Sequence, residues 1–134
     1  MRPVLIDTNA YAAFKKGKEE IVKLIQSAEE LVMTPIVLGE LLAGFEGGTK
    51  LQQNRIQLQQ FLECSRIKTY PITSDTAQFF SQIYSCLKRK GKPIPTNDMW
   101  IAAQALEHGF FVCTYDKHFH EIEGLIIVNT VADL

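Results

Sequence analysis

The feature that most constrains this chain is the run Pro3-Val4-Leu5-Ile6, which ends abruptly in Asp7-Thr8-Asn9 and passes at once into a helix-like pattern, Ala10-Tyr11-Ala12-Ala13-Phe14. Four apolar residues without alternation suit a strand buried on both faces, as in a parallel sheet. Such a strand delivers the residues after it to the carboxyl edge of the sheet, where open α/β folds place their ligands. Asp7 is therefore the residue from which the remaining sequence is read.

From there the pattern alternates. Helix signals run over 9–16, 19–30, 35–45, 50–62, 75–90 and 97–108, and strand signals over 31–33, 66–72, 110–114 and 125–128. Thr34-Pro35 supplies a cap and a first-turn proline. Thr73-Ser74-Asp75 and Thr96 are further expected caps, and Lys88-Arg89-Lys90 before Gly91 suits the negative end of a helix dipole. Tyr115 to Phe119 is expected to be a loop. Strands alternating with helices imply right-handed crossovers and a parallel sheet covered on both faces.

Length and composition exclude more than they assert. With 134 residues the chain fits one domain, 1–134, large enough to bury roughly two-thirds of its unfolded surface without a staple. A net charge of −1 advertises no polyanion partner, so nucleic acid would need a local basic patch. The three cysteines, Cys64, Cys86 and Cys113, are odd in number and lack metal-type spacing, so no structural disulfide is expected. No signal peptide precedes the first strand and no run approaches membrane-spanning length, so a cytoplasmic protein without a membrane partner is expected.

Four acids stand out. Asp7 follows the first strand and Asp116 the fourth; alone, the first is equally well a helix N-cap and the second a turn residue. Glu40 has Ile36, Val37, Ala43 and Gly44 as helical neighbours, and Asp98 has Ile101, Ala102 and Ala105. Both acids therefore sit on the apolar side of a helix, where ionised groups are rare unless paired or bound to metal. The bland alternatives are an ion pair for Glu40 and a helix-dipole carboxylate for Asp98. Two carboxylates about 4 Å apart repel by roughly 4 kcal/mol at an effective dielectric near 20, a cost that a divalent cation offsets. Oxygen-only ligands favour Mg²⁺ or Mn²⁺ over zinc, for which His118-x-His120 is weak support.

The segments Ile6-Asp7-Thr8-Asn9, Ile36 to Gly44, Thr96 to Ala103 and Thr114-Tyr115-Asp116-Lys117-His118-Phe119 resemble the four motifs of PIN-domain ribonucleases, most closely the VapC toxins of type II toxin–antitoxin systems. The resemblance covers the whole chain and implies a three-layer PIN-like α/β domain with strand order 3-2-1-4-5. Asp7, Glu40, Asp98 and Asp116 match the family's acidic metal-binding and catalytic quartet, supported by Thr8 or Asn9, Asn97 and Thr114. It further implies Mg²⁺- or Mn²⁺-dependent RNA cleavage, a homodimer, and inhibition by a small VapB-type antitoxin. A cation held by Asp7, Asp98 and Asp116 is expected to acidify a water into a nucleophile, with Glu40 either a ligand or a base. Tyr115 and His118 receive no role.

Positive charge for RNA is expected from Lys88, Arg89, Lys90, Lys92 and Lys117, helped by Lys15, Lys16 and Lys18; the alternative is a solvated helix end. Tyr11, Phe14 and Trp100 read as core rather than stacking platforms. Two rival functions remain. A haloacid-type Mg²⁺ phosphatase carries D-x-D after its first strand, but the second acid's place is taken by Asn9. A non-catalytic PIN-like adaptor would have no need of mutually repelling carboxylates.

Overall fold

The computed structural model describes residues 1–134. Five short strands form one parallel sheet in the order β3-β2-β1-β4-β5. They are β1 (Val4–Ile6), β2 (Leu31–Met33), β3 (Ile67–Thr69), β4 (Phe111–Cys113) and β5 (Ile127–Val128). Six helices connect them: α1 (Thr8–Lys15), α2 (Glu19–Ser27), α3 (Pro35–Glu46), α4 (Leu51–Leu62), α5 (Ser74–Lys90) and α6 (Thr96–His108). Travel from β1 to β3 proceeds in one direction and travel from β4 to β5 in the other. Right-handed crossovers therefore place α1 to α4 on one face and α5 and α6 on the opposite one.

Val4, Leu5 and Ile6 are wholly inaccessible to solvent, as an unalternating apolar run requires of a central strand. Val4 and Leu5 pair with Leu31 and Val32 on one side, and Val4, Leu5 and Ile6 with Phe111, Val112 and Cys113 on the other. Thirty buried apolar residues form a single cluster about this strand. The order of strand addition reverses between β1 and β4, so the carboxyl ends of those two parallel strands border the crevice in which open α/β sheets bind ligands.

Several boundaries differ from the sequence expectation. The second helix stops at Ser27, because Ala28 turns to extended geometry and the Arg66 guanidinium donates to the carbonyls of Ile25, at 3.0 Å, and Ala28. The third strand is only Ile67–Thr69, its pairing limited to the three residues of β2. Thr96 is the first residue of α6 rather than its cap, a position held by Pro95, and Thr73 caps α5 through a reciprocal box with Thr76. Residues Lys117–Glu121 form a 3-10 turn instead of an open loop, started by Asp116 and anchored by Phe119, which is fully buried. Gly91 and Gly109 close α5 and α6 with φ of 67° and 76°, a left-handed conformation that glycine adopts without steric cost.

Tyr11, Phe14 and Phe61 form an aromatic cluster with centroids 5.2 to 6.5 Å apart, and Trp100 stacks on Phe80 at 4.1 Å, so these rings are packing elements. All three cysteines are free; Cys113 is buried, Cys86 half-buried and Cys64 exposed. No helix is long and apolar enough to cross a membrane. Replacing Leu5 by alanine should leave a cavity at the centre of the sheet and cost about 2–5 kcal/mol in urea unfolding, whereas a loss under about 1 kcal/mol would mean that β1 is not the packing centre.

Candidate metal centre at the carboxyl edge of the sheet

Asp7 is the first residue beyond β1, and its amide donates to the Cys113 carbonyl at 3.0 Å, which extends the β1–β4 ladder to the site itself. It occupies the N-cap position of α1 yet makes no side-chain cap hydrogen bond. Its Oδ2 instead accepts from the Thr114 hydroxyl at 2.7 Å. Asp7 therefore holds the N-cap position of α1 while giving one carboxylate oxygen to β4.

Thr114 joins the two strand ends. Its hydroxyl donates to Asp7 and accepts from the Asp116 amide at 2.9 Å. Asn9 Oδ1 lies 3.4 Å from that hydroxyl and accepts from the Tyr115 amide at 3.1 Å, clamping the loop after β4 onto the first turn of α1. Asn9 thus fastens the backbone and leaves ligation to the acids. Asp116 Oδ1 accepts from the His118 amide at 2.9 Å, the contact that starts the 3-10 turn.

Glu40 reaches the same edge from α3. Its Oε1 accepts from the Thr8 hydroxyl at 2.8 Å and its Oε2 from Asn97 Nδ2 at 3.4 Å. The expected apolar surroundings are only partly present, since Ala43 and Gly44 are exposed and Glu40 is half-buried. The ion-pair alternative is absent: no lysine or arginine side-chain nitrogen lies within 4 Å of a carboxylate oxygen of Glu40, Asp7, Asp98 or Asp116. Asp98, in the first turn of α6, is only 7% exposed, and its Oδ2 is buried without a hydrogen-bond donor.

The electrostatics reflect that lack of countercharge. Burial pushes Asp98 up to about 7; Asp116 and Asp7 add to the rise, His118 partly opposes it, and Glu40 adds a smaller increment. Asp7 is also raised, chiefly by burial, against the opposing hydrogen bonds from Thr114 and the Thr8 backbone. A buried carboxylate oxygen without a donor, beside acids that raise its pKa, is the arrangement a cation stabilises and an apolar core does not. The residues present fit a divalent cation. Asp98, Asp116 and His118 each offer one ligand atom, and the three atoms lie within 4.8 Å of one another.

A family model described as PIN domain matches residues 4–125. The chain belongs to the PIN-domain family. This PIN domain is 30% identical over 135 residues to a VapC ribonuclease of Sinorhizobium fredii, with 94% of this chain and 96% of that one covered. It is 26% identical, with a TM-score of 0.85 and coverage of 95% and 98%, to a chain in the structure of VapBC2 from Rickettsia felis bound to a DNA fragment from their promoter. A chain of the DNA-bound VapBC from Salmonella typhimurium is 27% identical with a TM-score of 0.83, covering 96% and 98%.

The basic residues of this PIN domain are distributed differently from the acids. Lys90 is tied to Glu121, through its carbonyl at 2.8 Å and its carboxylate at 3.5 Å. Lys88 lines a cleft of about 430 Å³ with Thr96 and Met99 at the start of α6, and Arg89 lies beside Glu121 and Glu123. Lys92 is exposed, and Lys117 is exposed directly after Asp116. Lys18 sits 4.0 Å from the Tyr115 ring centroid. Lys15 and Lys16 share a cleft of about 580 Å³ with Lys50, Gln53, Asn54 and Gln57 between α1, α3 and α4; Lys50 carried no signal in sequence, lying far from any motif.

His118 is the other residue the sequence left without a role, although its spacing two residues after Asp116 carried the signal. In an acid-started 3-10 turn, that spacing returns the side chain toward the acid. The raised acids also make the metal-free protein sensitive to pH. Asp7 and Asp98 hold protons more tightly folded than unfolded, so stability should fall as pH rises from about 4 to 7 and level off above that. With chelator present, the melting temperature should be lower at pH 8 than at pH 5, on the order of 5 °C; a higher value at pH 8 would contradict the raised pKa values.

Proposed function

We propose that this protein is a divalent-metal-dependent endoribonuclease, the toxin of a VapBC-type pair, with Asp7, Glu40, Asp98 and Asp116 as its acidic site. The observation that carries this reading is the buried, donor-free Asp98 oxygen among acids that no lysine or arginine neutralises. The ribonuclease name of the Sinorhizobium relative supports the reaction class. The VapBC structures support a small VapB-type antitoxin as partner.

Asp7, Asp98 and Asp116 would hold Mg²⁺ or Mn²⁺, which when bound supplies Lewis acidity for activating water and offsets charge on the phosphodiester. The chain's own residues orient and hold protons. Thr114 fixes the Asp7 carboxylate by donating to Oδ2. The His118 amide fixes Asp116 in the same way by donating to Oδ1, which keeps a second lone pair. Thr8 and Asn97 each occupy one oxygen of Glu40, fixing the carboxylate plane so that a remaining lone pair can accept a proton from the attacking water. Lys15, Lys16, Lys50 and Lys117, with Lys88, Arg89 and Lys92, would contact RNA phosphates and position the strand without reading its sequence.

The phosphatase alternative loses support from Asn9, whose oxygen is engaged by the Tyr115 amide at the place where a second acid would act. Two outcomes test the nuclease reading. Asp98→Asn should lower Mn²⁺-dependent RNA cleavage by about two orders of magnitude or more while raising the melting temperature of the metal-free protein at pH 8. Cleavage at the wild-type rate would overturn it. Thr114→Val, which strips Asp7 of its donor, should weaken divalent-cation binding by about 10- to 100-fold in calorimetric titration; unchanged affinity would remove Thr114 from the support of the site.

A further inference from the structure

The geometry points to His118 as a nitrogen ligand of the divalent cation at Asp98 and Asp116, biasing the site toward Mn²⁺ over Mg²⁺. This inference rests on the metal-dependent reading above and adds a donor of different chemistry to the acidic quartet. His118 Nδ1 stands 2.9 Å from Asp116 Oδ1 and 3.4 Å from Asp98 Oδ2. Asp98 Oδ2 has no hydrogen-bond partner, and Asp116 Oδ1 keeps a lone pair beyond the one that takes the His118 backbone amide. The ring nitrogen and these two oxygens are thus three donor atoms close enough to share one cation.

The spacing suits an ion. Two ligand atoms at right angles on a cation with bonds of about 2.1 Å stand about 3 Å apart, a value that falls between the two observed separations. Hydrogen bonding alone would leave one of the two oxygens unserved, and here the unserved one is on a side chain more than nine-tenths buried. The backbone that carries the imidazole is also held in place. Asp116 starts the turn by accepting the His118 amide, and the fully buried Phe119 pins the next residue, so the ring is presented by two anchored neighbours. His120 lies two residues on, is exposed and contacts none of the four acids.

Carboxylates alone do not distinguish Mg²⁺ from Mn²⁺ strongly, whereas imidazole is a better ligand for transition ions than for Mg²⁺. The test is pulsed electron paramagnetic resonance on the Mn²⁺-loaded protein, which detects nitrogen-14 directly bonded to the ion. Wild type and His120→Gln should show imidazole nitrogen modulation, and His118→Gln should lack it. Calorimetry should then give His118→Gln an Mn²⁺ affinity lower by about ten-fold or more, with Mg²⁺ affinity changed by less than about three-fold. Mn²⁺ bound to wild type without nitrogen modulation would overturn the ligand assignment and leave the acidic site standing. Failure of wild type to bind Mn²⁺ at all would overturn both. Matching unfolding midpoints for the metal-free variants exclude a folding defect as the source of any loss.

Discussion

Like charges gathered at one edge of a sheet must be held there by the rest of the molecule. In this PIN domain Asp7, Glu40, Asp98 and Asp116 come together with no lysine or arginine against any of them. The parallel pairing of β1 with β4 holds them, continued past the strand ends by the Asp7 amide on Cys113 and the Thr114 hydroxyl on Asp7. The core beneath supplies the free energy: β1 is wholly buried between its neighbours, and α1 and the loop after β4 project from that fixed base. Burial first, and the neighbouring acids after it, push Asp7 and Asp98 above the usual carboxylate range.

The neutral polar residues divide the labour with the acids. Thr8, Asn97 and Thr114 each engage one oxygen of a carboxylate, and Asn9 engages the backbone of the facing loop. Each donor leaves its carboxylate ionisable and fixes its orientation, which a lysine in the same place would not do without neutralising it. Orientation without neutralisation is what a cation-binding edge requires. Asp98 is the exception, lacking any such donor at its buried oxygen, and burial pushes it up to about 7.

The basic residues obey a different logic. Lys90 finds Glu121, Lys18 finds the Tyr115 ring, and Lys15, Lys16 and Lys50 converge on a cleft lined with amide side chains. None of these nitrogens enters among the acids.

Much of this was legible in one dimension. An unalternating apolar run that stops at an acid can hardly be anything but a buried strand with a loaded carboxyl end, so β1 and Asp7 emerge from local pattern alone. Caps and glycine stops likewise set most helices, because they depend on neighbours within a turn. The ends of α2 and β3 were not legible, since they are decided by the Arg66 guanidinium reaching back about forty residues and by the three-residue length of β2. The same holds for the choice between Asp7 as a cap and Asp7 as a partner of Thr114, and for the approach of His118 to Asp98. The first contact joins residues 107 positions apart, which only the register of β1 against β4 brings within reach; the second depends on the packing of α6 beside the turn after β4.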